Sequence, residues 1–220
     1  MEFQTVNPAS EEPLATYRTM PRVEVLAAAD RAVSAQRDWR HRDVADRCAL
    51  MRELAAVLRR NSGDWARLIT LEMGKPVAES LAEIEKCAWM CEIYADNGVT
   101  WLREEEVEAD GLRHRVVFEP LGVILSIMPW NFPFWQALRF AVPGLVAGNT
   151  SLLKHASNVT GCAFAISEAF AKAGFPSRVF ATIEPDYDTV AELIGSEQIR
   201  GVSLTGSTGV GERVGALAGK

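Results

Sequence analysis

No apolar run in these 220 residues approaches the ~20 needed to span a bilayer, so the sequence offers no membrane-spanning helix. Met1 to Pro8 lacks the basic and then apolar opening of a secretion signal. Basic residues are the minority charge: 23 Lys plus Arg stand against 29 Asp plus Glu, for a net charge of −6. That balance argues against nucleic acid as the main partner, though a small ligand's phosphates can still find a local site. Cysteine is scarce, with only Cys48, Cys87, Cys91 and Cys162. None forms a CxxC pair and no His stands at ligand spacing, so no metal site is expected. Cys87 and Cys91 are four apart on a helical pattern and read as small buried residues on one helix face. Reduced thiols suit the cytoplasm. Gly (16) and Pro (10) are too scattered for a collagen-like or low-complexity chain. The 48% apolar content excludes disorder and fits one large domain, or one domain and part of another.

Two textures follow one another along the chain. From about residue 20 to 100 the periodicity is helical. Thr19 and Pro21 open a helix with Val25, Leu26, Ala29 and Val33 on one face. Asp43 is placed to cap a second, carrying Val44, Cys48, Met51, Leu54, Ala55 and Leu58 and ended by Asn61-Ser62-Gly63. A third runs from Asp64 to Met73 and stops at Gly74. Pro76 opens a longer one whose face carries Val77, Leu81, Ile84, Cys87, Ala88, Cys91 and Tyr94. Residues 101–119 change character. Asp110-Gly111 is a hairpin turn between Glu104–Ala109 and Leu112–Glu119. Its acidic run suggests either a cation site or, as we favour, a solvated, aggregation-resistant strand.

From residue 120 strands and helices alternate. Gly122–Met128, Thr150–Lys154, Arg178–Ile183 and Gly201–Thr205 read as strands. Phe134–Val146, with a kink expected at Pro143, and Thr160–Ala173, Asp188–Ile194 and Gly209–Ala218 read as helices. The expected fold class is α/β with a doubly wound parallel sheet, preceded by a helical segment and a projecting β-hairpin. No internal repeat is present.

Ligands of such sheets bind beyond the carboxyl ends of the strands. Three loops fall there. Gly206-Ser207-Thr208-Gly209-Val210-Gly211 is a Gly-rich strand-to-helix turn able to bring backbone N–H groups to a phosphate. It is neither a Walker loop nor GxGxxG, and a tight turn with a helix cap explains it equally well. Lys154 ends a buried strand and can meet ribose hydroxyls or phosphate, or simply reach solvent; the adjacent His155 shows no partner. In Pro129-Trp130-Asn131-Phe132-Pro133, two prolines and two aromatics stiffen the surroundings of one amide. Asn131 there either donates to an oxyanion or bonds its own turn. Arg139, about two helical turns further on, either clamps a substrate carboxylate or is a surface residue of an amphipathic helix.

The stretches GVILSIMPWNFPFW (122–135), GNTSLLKHASN (148–158) and SLTGSTGVGERV (203–214), with NPASEEPLATY (7–17), resemble the aldehyde dehydrogenase superfamily over essentially the whole chain. PWNFP and GSTxxG together are specific, whereas neither is alone. The resemblance implies a Rossmann-like NAD(P)-binding domain over residues 1–220, with 101–119 as part of an oligomerisation arm and a homo-oligomer as the assembly. It implies that Asn131 stabilises the oxyanion and that Ile127, Met128, Pro129 and Trp130 line the nicotinamide channel. It also implies that Lys154 binds the adenosine ribose and that Gly206, Ser207 and Gly211 sit at the pyrophosphate. In that family a Cys thiolate attacks a small aldehyde, hydride passes to NAD or NADP, and a Glu-activated water frees the acid.

Arg139 and LLKHASN are most similar to succinate-semialdehyde dehydrogenases, which implies that Arg139 grips a distal carboxylate. Ser157 stands where the family often has a ribose-binding Glu. Without that carboxylate NADP should be tolerated beside NAD. Ala181-Thr182-Ile183-Glu184-Pro185 replaces the usual Asn-Val-x-x-Gly, which puts the cofactor contact expected there in doubt. The family's catalytic Cys and Glu are expected beyond Lys220, which would leave this polypeptide a truncated and inactive cofactor domain. A stand-alone nucleotide-binding or scaffold module, and a relative reducing acyl-CoA or acyl phosphate, are the alternatives.

Overall fold

The apolar run Val123–Met128 (β5) lies in a four-stranded, all-parallel sheet of order β7-β6-β5-β8, with β6 at Thr150–His155, β7 at Phe180–Thr182 and β8 at Ile199–Leu204. The computed structural model describes residues 1–220. Side chains alternate across the sheet, and each face meets its own set of helices. Val123 and Leu125 of β5 and Leu152 of β6 share an apolar cluster with α1 (Arg22–Trp39) and α7 (Tyr187–Ile194). Met128 and Leu153 point to the other cluster. That one is built from α2 (Val44–Arg60), α3 (Ser62–Met73), α4 (Val77–Trp101), α5 (Pro133–Val146) and α6 (Thr160–Lys172). α8 (Thr208–Ala218) follows β8 and buries no residue fully. The doubly wound α/β sheet expected from the alternating pattern is therefore the observed one.

Two antiparallel ribbons stand outside the sheet. β1 (Glu2–Val6) pairs with β2 (Pro13–Arg18), and β3 (Glu105–Ala109) pairs with β4 (Leu112–Val116) about the Asp110-Gly111 turn. Every residue of β3 and β4 is exposed, and Glu104 pairs with Arg115 at 2.7 Å.

Several boundaries differ from the sequence pattern for physical reasons. Asn61 alone separates α2 from α3, its amide donating to the Val57 carbonyl at 2.8 Å, and Ser62-Gly63 already belong to α3. Asp43 occupies the N-cap of α2 without a side-chain cap bond. α5 ends at Val146 as expected, with Pro143 inside it, and starts one residue earlier than Phe134, at Pro133. β7 is shorter than Arg178–Ile183, because Arg178 sits at φ +73° and Val179 turns back to bond the Pro176 carbonyl. On α4, Val77 and Leu81 are exposed, while Ser80 and Glu83 lie on the buried stripe with Ile84, Cys87, Ala88 and Cys91.

Candidate functional site at the carboxyl ends of the strands

From β5 the chain steps outward to β6 and β7, then crosses back to β8 on the far side of β5. The switch point of the sheet thus lies between the carboxyl ends of β5 and β8, where open α/β sheets hold ligands. All strands are parallel, so the loops after β5, β6 and β8 open at one end of the sheet. Ile127, Lys154 and Leu204 stand side by side in register beneath them. The Thr205 N–H donates to the Ile127 carbonyl at 3.1 Å. Arg139, exposed on α5, donates to the Thr205 hydroxyl at 3.3 Å and to Gln136 Oε1 at 2.8 Å. These contacts set it beside the carboxyl end of β8.

The 129–133 loop is braced from below. Phe134 and Trp135 donate their backbone N–H groups to Glu83 Oε1, each at 2.9 Å, which satisfies the first turn of α5 behind Pro133. Glu83 Oε2 accepts from the Lys75 ammonium, and the two side chains are 1% and 5% exposed. The same ammonium stands 3.6 Å from the centroid of the Phe132 ring. His155 is fully buried, donates from Nε2 to the Pro133 carbonyl at 2.9 Å and accepts the Ala156 N–H at Nδ1 at 2.9 Å. Burial pushes its pKa down to about 4, so the ring is neutral at pH 7. Lys75 and Glu83 were not singled out from sequence, and His155, read there as without a partner, has two. The signal for Glu83 is a carboxylate four residues before Cys87, on the buried stripe of α4.

Asn131, carried by this braced loop, is exposed, and its amide makes no hydrogen bond within the chain. A turn Asn bonding its own backbone is therefore not what is found. Trp130 is half exposed, and Pro129 and Ile127 are partly buried. Met128 differs. The residue is 3% exposed, and its side chain packs into the helical core rather than toward the crevice.

After β8, Ser207 holds the N-cap position of α8 without a hydroxyl cap bond, and Gly211 N–H to Ser207 carbonyl is the first rung, at 3.0 Å. The N–H groups of Thr208, Gly209 and Val210 precede that rung and lie in the exposed first turn. Added Cβ atoms at Gly206 and Gly211 would meet only Leu204, at ordinary contact distances of 3.7 and 3.8 Å. Packing within the chain therefore does not demand glycine at either position.

A cavity of about 330 Å³ opens beside Lys154 and Ser157, with Phe3, Thr19, Glu184 and Tyr187 on its walls. Burial lowers the pKa of Lys154, opposed by the nearby Glu184 carboxylate. Glu184 is 4% exposed, and its Oε1 has no hydrogen-bond partner. Burial raises its pKa to about 7, against the pull of Lys154 and helped by Glu72. Ser157 is exposed at the start of a short 3-10 turn. These residues fit a sugar bearing hydroxyl or phosphate groups: one cation, one hydroxyl and one carboxyl oxygen in want of a donor. Glu184 went unassigned in the sequence because the segment around it departs from the family pattern.

All four cysteines are buried and free, and burial raises each thiol's pKa, so none is poised as a nucleophile. No group of three or more His, Cys, Asp or Glu side chains is placed to hold a metal ion, the acidic hairpin included. No helix is long and apolar enough to cross a membrane.

Comparison with known proteins gives a consistent answer. The model of the family described as aldehyde dehydrogenase family matches residues 1–220. A Synechocystis protein named probable succinate-semialdehyde dehydrogenase (NADP(+)) is 43% identical over 218 residues, which are 99% of this chain and 48% of that one. An Escherichia coli K12 succinate semialdehyde dehydrogenase (NAD(P)+) is 40% identical over 98% of this chain and 46% of its own length. The succinic semialdehyde dehydrogenase of Streptococcus pyogenes, solved with NADP+, superposes with a TM-score of 0.96 at 32% identity, over 99% of this chain and 48% of that one. The chain thus spans about half the length of the curated relatives it matches.

Proposed function

The chain belongs to the aldehyde dehydrogenase family, and on that premise we propose that it forms the NAD(P)-binding part of an enzyme oxidising a carboxylate-bearing semialdehyde, succinate semialdehyde first among candidates. The observation that supports this is the contact of Arg139 with Thr205, whose N–H bonds the Ile127 carbonyl just before the Asn131 loop, at the switch point of the sheet. The relatives named for succinate semialdehyde support the substrate class, and those named for NADP and NAD(P) support the cofactor, NAD or NADP.

A nicotinamide dinucleotide, when bound, takes up the hydride released as the aldehyde is oxidised. The residues of this chain bind and orient. Lys154 and Ser157 hold the adenosine ribose. Gly206, Ser207 and the first turn of α8 meet the pyrophosphate with backbone N–H groups and the positive end of the helix. Ile127, Pro129 and Trp130 line the channel toward the reacting carbon. Asn131, with its amide unspent and its loop braced, donates to the oxygen that gains charge when the carbonyl is attacked, a contact worth ~2.7–4 kcal/mol of barrier. Arg139 pairs with the substrate's distal carboxylate. The exposed β3–β4 hairpin is the segment we assign to pairing with a second copy, and the four free thiols agree with a reducing cytoplasm.

Calorimetric titration of the protein with NADP+ and NAD+ tests the cofactor assignment: saturable binding is expected, and absence of heat with both overturns it. Replacing Arg139 by Leu in the intact protein removes charge-assisted hydrogen bonds worth about 1.5–3 kcal/mol, so kcat/KM for succinate semialdehyde should fall about 10- to 150-fold while butanal is little affected. Equal losses refute the carboxylate role. With no poised thiol among its cysteines, the 220-residue chain by itself should produce no NAD(P)H from aldehyde; measurable turnover refutes that.

A further inference from the structure

We propose that Glu184 reads the 2′ position of the adenosine ribose: ionised, it accepts a hydrogen bond from a 2′-hydroxyl and repels a 2′-phosphate; protonated, it donates to that phosphate. This rests on the assignment of the Lys154–Ser157 cavity to the ribose, and it concerns a residue to which that assignment gives no role.

The first observation is the orphan oxygen. Glu184 is 96% buried by its 4% exposure, yet its Oε1 bonds nothing in the chain. A buried acceptor without a donor is costly and calls for a partner from outside. A ribose hydroxyl is such a donor, whereas a phosphate dianion presents only acceptors. The second observation is placement. Glu184 and Ser157 wall the same cavity as Lys154. Ser157 leaves the loop after β6 without charge at the point where a carboxylate would discriminate, and Glu184 brings one from the end of the neighbouring strand, β7. Lys154 draws a 2′-phosphate in, and ionised Glu184 cancels that attraction.

Proton occupancy at Glu184 then sets the balance. The groups facing it are Lys154 on β6, Glu72 on α3 and Tyr17 on β2, with Asp186 and Met1 along the cavity wall. The Asp186 carboxylate is already engaged, accepting the Thr189 N–H at 2.8 Å. Glu184 titrates near neutrality through its burial, so the preference for NADP+ over NAD+ should fall as pH rises.

The test is calorimetric titration of the protein with NADP+ and NAD+ from about pH 6.5, where the 2′-phosphate is already mostly dianionic, to about pH 8.5. The ratio of dissociation constants, NADP+ over NAD+, should rise about sixfold over that range, as follows if NADP+ binding raises the Glu184 pKa by about one unit. Glu184→Gln should flatten that rise and tighten NADP+ relative to NAD+ at the alkaline end. A group with a merely structural role would not change the pH slope of this ratio. A flat ratio in the unmodified protein overturns the proposal whether or not the variant folds, and an unchanged slope in Glu184→Gln overturns it as well. If Lys154→Ala leaves both affinities untouched, the cavity is not the ribose site, and the parent assignment falls separately.

Discussion

Replacing Glu83 by Gln strips one charge from the brace beneath the Asn131 loop while keeping its shape. The Lys75 and Glu83 side chains are 5% and 1% exposed, so the remaining ammonium has no water to turn to. An uncompensated buried charge costs about 3–5 kcal/mol. The amide oxygen of Gln still accepts from Phe134 and Trp135, but these bonds lose their charge assistance, for about 1 kcal/mol more. The expected loss is therefore about 4–6 kcal/mol, and at roughly 2–4 °C per kcal/mol the unfolding midpoint should drop by at least about 8 °C. The double variant Lys75→Met/Glu83→Gln leaves no charge buried and should recover most of that stability. Urea and thermal unfolding of Glu83→Gln, Lys75→Met and the double variant measure the cycle. A loss below about 1 kcal/mol for Glu83→Gln, or a double variant as unstable as the sum of the singles, would refute the reasoning. The exposed Arg52–Asp96 pair, at 59% and 61% exposure, is the internal contrast: Arg52→Ala should cost about 0–1 kcal/mol.

Two pH dependences follow from buried groups. His155 is held near pKa 4 in the folded state, below its usual 6.5, so its contribution is present above pH 6.5 and is lost as pH falls toward 4. About 2 kcal/mol of that loss should have appeared by pH 5. Urea midpoints at pH 7 and pH 5 should show a smaller acid loss in His155→Gln, and an equal loss would contradict a buried neutral ring. Glu184 has the opposite sign, because its folded pKa of about 7 exceeds the ordinary 4.5. Its carboxyl is tolerated below 4.5 and costs up to about 3 kcal/mol once pH has risen through 7. In the ligand-free protein Glu184→Gln should therefore gain stability relative to the unmodified chain between pH 5 and pH 8; a gain that shrinks over that range would count against a desolvated carboxyl.

Local pattern and chain order were enough to specify a parallel α/β sheet with three loops opening at one end of it. The unbroken apolar run of β5 can only be satisfied by helices on both faces, and glycine and proline end elements whatever lies around them. Motif spacing fixed where Asn131, Lys154, Ser207 and Arg139 stand for the same reason: each lies at a set offset from a strand end, and a parallel sheet delivers every such end to one side. What the pattern leaves undetermined is which face a polar residue turns to, because burial is a property of neighbours far along the chain. Glu83 and Val77 lie on one helix, and only the packing of α4 against α5 buries the carboxylate and exposes the valine. His155 acquires a role only because β5 and β6 lie in register, bringing its ring to the Pro133 carbonyl. Met128 follows the same logic, since strand alternation turns it to the core while its neighbour Ile127 faces the other way. Glu184 is the clearest case: a carboxylate after a short strand is unremarkable in sequence, and tertiary structure alone excludes water from it and sets it beside Lys154.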